Sequence, residues 1–448
     1  MAPARLDYRV GMTGRFSKPA CVPMLTMLVL ALLAPPSAKS VVAPMPRPPL
    51  AGVSLTELPF GAPAARVNQE IARARSLDAH AIRVAIPWST IEPRQGQIEP
   101  RALAFTDHLV SQASAEGIKV VALTLSTPCW ASSAPPSLLA TCRPGQNGKA
   151  QAWPPSHPNT YGSFVAFLAA RYGSKLAAIE VWNEPDQANE DYFAGPNKAQ
   201  RYAAVLRAAY PAIKHADPAM PVLGGSLVGS NGAFLRALYA AGIKGYYDGL
   251  SVHFYNLVLA SLRNIHEVQL ANGDSKPLWL NEFGWSSCWP RQRIQQEQGC
   301  VTKQAQAANL KNVFHSLART PWVAAEMVYE LRGSRSEDFG VLSETGAQKP
   351  SFGALRSVFV SPLGKPSPVT VHLSRRGGRV VASGSGPVGD YMQLEAFSGR
   401  RAVYRALFTL DRFNRYSLPL PRVLGTQNLR VSVFQYWMGT ARAAGASI

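Results

Sequence analysis

The chain has 448 residues, 47% of them hydrophobic and 16% charged, so it can bury a sizeable core and is too long for one small domain. Its formal charge of +19 invites polyanionic neighbours: nucleic acid, anionic membrane or acidic polysaccharide. The basic residues are scattered, and zinc-finger spacing, an RNA-binding aromatic signature and a basic heptad are all missing, so nucleic acid is not an expected partner.

Residues 1–40 read as a targeting segment. Arg5, Arg9, Arg15 and Lys18 precede the apolar run "MLTMLVLALLA" at 24–34, and small residues follow near Ala38 to Ser40. That run is 11 residues long, against roughly 20 for a spanning helix, which favours a cleaved secretory signal over an uncleaved anchor. Membrane association is expected only if the segment stays attached. It holds five Lys/Arg and one Asp, so about +15 of the charge belongs to the remainder. Export to the periplasm or the extracellular space suits the cysteines. Apart from Cys21 there are four, in two close pairs, "CWASSAPPSLLATC" (129–142) and "CWPRQRIQQEQGC" (288–300), and neither has metal-site spacing. Of three connectivities, the two local bridges Cys129–Cys142 and Cys288–Cys300 are the expected one.

From residue 50 onward the pattern alternates. Short apolar runs stand at 50–55, 81–88, 118–125, 177–184, 221–229, 248–256, 277–285 and 324–331. Between them lie stretches with apolar residues at helical spacing, such as 102–117, 160–173 and 199–216. Gly117 and Gly173 stand where helix C-termini want them. Eight strand signals alternating with helices predict an α/β fold, a (β/α)8 barrel over 48–360, rather than an open doubly wound sheet. After a Pro/Gly/Ser connection at 361–370, alternating runs predict a small β-sandwich over 365–448. "GSGPVG" (384–389) matches a dinucleotide motif in form only; it precedes a strand-like run and reads as a hairpin turn.

Two segments carry chemistry. "AIEVWNEPD" (178–186) runs an apolar strand into Asn183 and Glu184, and "PLWLNEFGWSS" (277–287) ends a strand on Glu282. A buried unpaired carboxylate is costly, so a lone Glu at a strand end is usually just solvated. Here the two glutamates end the fourth and seventh strand signals, on the barrel face where active sites are built. Two carboxyls about 5–5.5 Å apart can cut a glycosidic bond with retention, one as acid and the other as nucleophile.

These segments resemble the clan A glycoside hydrolases, the "4/7" retaining β-glycosidases, with likeness to family 39 and family-5-like bacterial enzymes, including endoglycosidases tied to exopolysaccharide. The likeness spans about 50–360. "IRVAIPWSTIEPRQGQIEP" (82–100), "TLSTPCWAS" (124–132), "SVHFYN" (251–256) and "FGVLSETGAQKPSF" (339–352) match further segments in order. The resemblance implies Glu184 as acid/base, Glu282 as nucleophile, Asn183 on the sugar 2-hydroxyl, and Tyr255 and Arg83 bracing the nucleophile, with His253 beside them. It requires no cofactor and no metal. Strict alternation would send Asn183 and Glu184 to opposite faces, so the strand end must be irregular. Where relatives carry a strand-eight tryptophan, this chain has Val328 followed by Tyr329, a candidate replacement platform.

Among the aromatics, Trp88, Trp130 and Trp285 are candidate sugar-contacting residues, although each is equally a packing residue, and Trp182 is assigned to the core. Glu330 is a reserve carboxylate. The cleft-forming segments carry Glu92, Asp186, Glu190, Asp191 and Glu330, so the basic excess is expected on the outer surface. The sandwich is expected to buttress the barrel, with carbohydrate binding as the alternative. The resulting expectation is an exported, monomeric, retaining endo-β-glycosidase acting on a polysaccharide or oligosaccharide. A non-catalytic carbohydrate-binding pseudoenzyme and a transglycosylase are the rivals.

Overall fold

All eight apolar runs become strands: β1 Leu50–Ser54, β2 Ala81–Pro87, β3 Lys119–Leu125, β4 Leu176–Val181, β5 Val222–Leu227, β6 Gly249–His253, β7 Leu278–Phe283 and β8 Val323–Val328. They pair in sequence order, in parallel, and β1 closes on β8 through the register Leu50↔Ala325 to Val53↔Val328. The computed structural model describes residues 48–146, 148–289, 300–334, 338–387, 390–437 and 440–448. Segment 1–40, read above as a leader, lies outside them, as does most of the loop between Cys288 and Cys300. Among the described residues no helix is long and apolar enough to cross a membrane.

Period-two alternation explains how the barrel is filled. Ala81, Val121, Ala178, Leu223, Trp279, Ala325 and Met327 point inward and form one buried cluster. Small residues admit the two large ones: a Cβ at Gly249 would lie 2.7 Å from the Trp279 ring, and one at Gly52 would lie 2.4 Å from Met327 Sδ. Two residues further along the strands the inward positions turn polar, giving Arg83, Glu180, Ser251 and Asn281, all buried. An apolar plug therefore supports a charged layer directly beneath the C-terminal mouth. Helices cover the outside; Pro100–Ala115 and Pro158–Tyr172 are followed by Gly117 and Gly173, both with positive φ, as the sequence predicts.

Beyond the helix Pro350–Val360 the chain forms two antiparallel sheets, ordered β13-β10-β9 and β12-β11-β14-β15. Their strands are β9 His372–Arg376, β10 Arg379–Ser385, β11 Tyr391–Ser398, β12 Arg401–Thr409, β13 Arg415–Pro419, β14 Arg430–Trp437 and β15 Thr440–Ser447. Val380, Ala382, Met392, Leu394, Val431 and Val433 pack between them as a separate core. Contrary to the hairpin expectation, "GSGPVG" ends β10 and leads to β11 in the other sheet, so it is a crossover; Val388 and Gly389 lie outside the described residues. The sheets dock on the barrel through polar contacts. Asn414 Nδ2 donates to Asn309 Oδ1 at 2.7 Å, Ser367 N donates to Asn312 Oδ1 at 2.9 Å, and Arg263 pairs with the buried Asp390.

Both local disulfides form. Cys129–Cys142 has its Cα atoms 5.8 Å apart, and Cys288–Cys300 has them 5.2 Å apart. Each closes a loop leaving the mouth end of a strand, β3 and β7. In the chain-entropy account, replacing Cys129 and Cys142 together by Ser lowers unfolding stability by about 3 kcal/mol. Urea unfolding of wild type and double variant measures this, and equal midpoints would show that the loop constraint contributes nothing.

Candidate active site

Glu184 and Glu282 meet at the barrel mouth because both strand ends break alternation. Trp182 takes φ 71° and Glu184 takes φ 42°, so Asn183 and Glu184 both turn into the cavity instead of splitting to opposite faces. Left-handed backbone is unfavourable for such side chains. It is held here by the fully buried Trp182 ring, whose Nε1 donates to Tyr192 O at 2.7 Å, and by the bond from Trp182 N to Thr124 O at 2.8 Å. On β7, consecutive Asn281 and Glu282 likewise both reach the interior, where the register against β8 shifts between Leu280 and Phe283.

His253, from the end of β6, stands between the two carboxylates. Its Nδ1 lies 2.8 Å from Glu184 Oε1 and 3.4 Å from Glu282 Oε2. One oxygen from each glutamate and the imidazole nitrogen fall within 4.8 Å of one another. Such spacing would suit a metal ion, but Arg83 argues against one. Its Nη1 donates to Glu282 Oε1 at 2.5 Å and its Nη2 lies 3.3 Å from His253 Nε2, so a permanent cation already occupies one of the carboxylates that a metal would need. Two further Arg83 contacts fix its orientation: Nε donates to Glu180 Oε2 at 2.6 Å and Nη2 to Asn183 Oδ1 at 3.0 Å. Tyr255 donates to Glu282 Oε2 at 3.0 Å, and Gln187 Nε2 donates to the free oxygen of Glu184.

Beneath this group lies a residue that the sequence reading missed. Glu180 is fully buried, yet its Oε1 accepts from Ser226 Oγ at 2.6 Å, Ser251 Oγ at 2.5 Å and Asn281 Nδ2 at 3.0 Å. Burial alone would raise its carboxyl pKa, but the Arg83 charge and His253 outweigh that and hold it well below the usual carboxylate range. A signal was present in the sequence, since Glu180 is the lone charge inside the β4 run and Arg83 the lone charge inside β2. Ser226, Ser251, Asn281 and Gln187 carried no comparable mark.

A cavity of about 610 Å³ opens over the site and is lined by Arg83, Asn183, Glu184, Tyr255, Glu282 and Tyr329, among others. The three other candidate aromatics are placed elsewhere. Trp88 is sealed in the core, 5.7 Å from both Tyr161 and Phe164 by ring centroids, and is no sugar surface. Trp130 packs edge-on against Trp88 and donates to Glu92 O, while Trp285 is buried behind the β7 rim, so neither lines the cavity. Their place is taken by Tyr192, which is 39% exposed and follows β4, and by Phe339, which packs on Tyr255 and Tyr329. Glu330 is buried outside this lining.

Fold and site together define a barrel enzyme with two opposed carboxylates, and comparison with known proteins agrees. A family model described as the glycosyl hydrolase catalytic core matches residues 157–348, which include both glutamates, and a β-galactosidase model matches residues 58–220. A family 39 glycoside hydrolase from the gut symbiont Bacteroides cellulosilyticus WH2 has a TM-score of 0.54 at 18% identity, over 84% of this chain and 80% of that one. The β-glycosidase BGL167 gives 0.53 at 14%, over 73% and 99%. A family 5 subfamily 18 variant from Streptomyces cattleya, solved with Manβ1-4GlcNAc, gives 0.51 at 15%, over 72% and 84%. Comparison with curated proteins gives no match. The segment holding both glutamates thus matches a glycosyl hydrolase catalytic core, and the chain's neighbours in fold include glycoside hydrolases of families 39 and 5.

The site makes stability depend on pH through His253. Burial would lower its pKa, but Glu282, Glu180 and Glu184 outweigh both that and Arg83 and push it up to about 9, from 6.5. A raised folded-state pKa gives stability that is complete below pH 6.5 and lost as pH rises through about 9. The stability gap between wild type and His253→Gln should therefore narrow across that window in urea unfolding. A constant gap would mean that the imidazole is neutral throughout.

Proposed function

We propose that the protein is a retaining endo-β-glycosidase that hydrolyses a polysaccharide, an exopolysaccharide or envelope glycan, outside the cytoplasm. The observation carrying this reading is the approach of Glu184 and Glu282 oxygens to within 4.8 Å. Inverting enzymes hold their carboxyls roughly 6.5–9.5 Å apart to fit a water between them, whereas retaining ones stand at about 5–5.5 Å.

The roles follow from the partners. Glu282 accepts from Arg83 and Tyr255, and these two bonds fix its orientation and aim it as the nucleophile. Glu184 is held by a 2.8 Å contact with His253 and lines the cavity across from Glu282, where it can serve the leaving oxygen as acid/base. In the first half, Glu282 bonds to the anomeric carbon as the glycosidic C–O bond breaks, and the leaving oxygen takes the proton from Glu184. In the second half, Glu184 removes a proton from water, which attacks the anomeric carbon and frees Glu282. Asn183, fixed by Arg83, stands beside the reacting sugar. Two disulfides are consistent with export.

Replacing Glu282 by Ala should abolish turnover on every substrate, a loss of at least about a thousandfold. With Glu184→Ala, an activated aryl glycoside should still form the glycosyl-enzyme and then stall. Azide should rescue that variant and give the β-glycosyl azide, whereas Glu282→Ala with azide should give the α product. Product analysis by NMR distinguishes these outcomes. A wild type that binds oligosaccharides but cleaves none across a panel of β-glucans, mannans and xylans would instead mark a pseudoenzyme.

The cleft also bears on substrate charge. Among its described lining residues Arg83 is the only cation, buried and paired, beside Glu184, Glu282 and Asp191. The basic excess therefore lies elsewhere, and a neutral glycan is expected. Turnover of a soluble substrate should change little between low and moderate salt, and strong salt inhibition would point instead to an anionic chain.

A further inference from the structure

We infer that the side of the cleft beneath β1–β3 accommodates an apolar group carried by the substrate, an acyl substituent or an apolar aglycone. This rests on the glycosidase reading and sharpens its substrate class. The cavity is chemically two-sided. Glu184, Glu282, Asn183, Gln187 and Asp191 come from β7 and the segment after β4, whereas Leu58, Phe60, Phe105, Leu109, Leu123 and Leu125 come from the loop after β1, the helix Pro100–Ala115 and β3.

The apolar side is continuous with the catalytic centre. Ala85, two residues after Arg83 on β2, lines the same cavity and is exposed to it, with no side chain long enough to close the passage. At the far end Phe60, from the loop after β1, meets Phe105, from the helix Pro100–Ala115, with ring centroids 4.7 Å apart and planes tilted by 57°. Phe105 and Leu109 lie one helical turn apart, so a single helix face supplies that wall.

A sugar ring would be poorly served there. Buried hydroxyls need partners, and leaving them unpaired is costly. Thr56, Ser126 and Gln151 are the uncharged polar residues among this lining, too few to partner every hydroxyl of a buried ring, and Arg83 is engaged with Glu180, Glu282 and Asn183. A hydrocarbon chain or acyl group meets no such penalty and gains from leaving water. The glycan backbone then runs along the polar side, and the apolar group selects the unit to be cut.

Calorimetric titration of the Glu282→Gln protein tests this without turnover, so it stays readable even if the wild type cleaves nothing. One arm compares hexyl with methyl β-glycosides of glucose, galactose, mannose and xylose. The other compares methyl glycosides carrying a hexanoyl ester on the sugar with their unesterified parents. The expected result is a gain of at least about tenfold in one arm, which also tells whether the apolar group sits on the aglycone or on the sugar. In Phe60→Ser and Phe105→Ser proteins, checked for folding by thermal melting, that gain should shrink severalfold. Equal affinities in both arms, no measurable binding in either, or a gain unchanged in both phenylalanine variants would overturn the proposal.

Discussion

The buried pair between Arg83 and Glu180 is the contact on which the rest of the site depends. Placing two charges out of water is expensive, and attraction between them repays the cost only where the remaining hydrogen-bonding groups are satisfied. Here they are satisfied by side chains from neighbouring strands: Ser226, Ser251 and Asn281 complete Glu180, while Glu282 and Asn183 complete Arg83. The guanidinium is thereby held in one orientation, and with it the carboxylate it presents to the cavity. A single arginine could not organise the mouth if it were free to turn. The acid beneath it is what removes that freedom.

The charged layer in turn depends on the apolar plug below. Trp279 and Met327 fill the lower barrel because Gly249 and Gly52 leave them room, and water is kept from the underside of the ion pair. In such surroundings each hydrogen bond is stronger and each unmet polar group more costly. The strained turn at Trp182 belongs to the same arrangement: the backbone cost is borne by burying one of the largest side chains in the molecule, and the return is that two consecutive residues face one cavity.

Much of this was legible in the sequence, for identifiable reasons. Each barrel strand announced itself as a short apolar run between helical patterns, and Gly117 and Gly173 marked two helix ends. The two glutamates were legible because each terminates such a run. β15 was not legible: "TARAAGAS" has one β-branched residue, Thr440, and no aromatic, and it is a strand because it pairs with β14 along its whole length. The short β13 was passed over beside stronger runs. The tryptophans misled because sequence shows an aromatic near a motif but not which way it faces; Trp88 turned into the core and Tyr192, unremarked, turned out. Glu180 was missed because its meaning lies in a partner nearly a hundred residues away.

Closure of β1 on β8 has a consequence for how the molecule comes into being. Leu50 pairs with Ala325, the longest reach among the barrel ladders, so the ring cannot shut until nearly three-quarters of the chain has left the ribosome. Arg83 and Glu180 are synthesised well before Glu282, and until β7 arrives the guanidinium has only one of its two carboxylates. Contacts of such sequence separation are slow to form, because chain entropy is lost before they repay it. The candidate site is therefore completed late in biogenesis, and a nascent chain halted anywhere before β8 would hold its residues without the closed ring that brings them together.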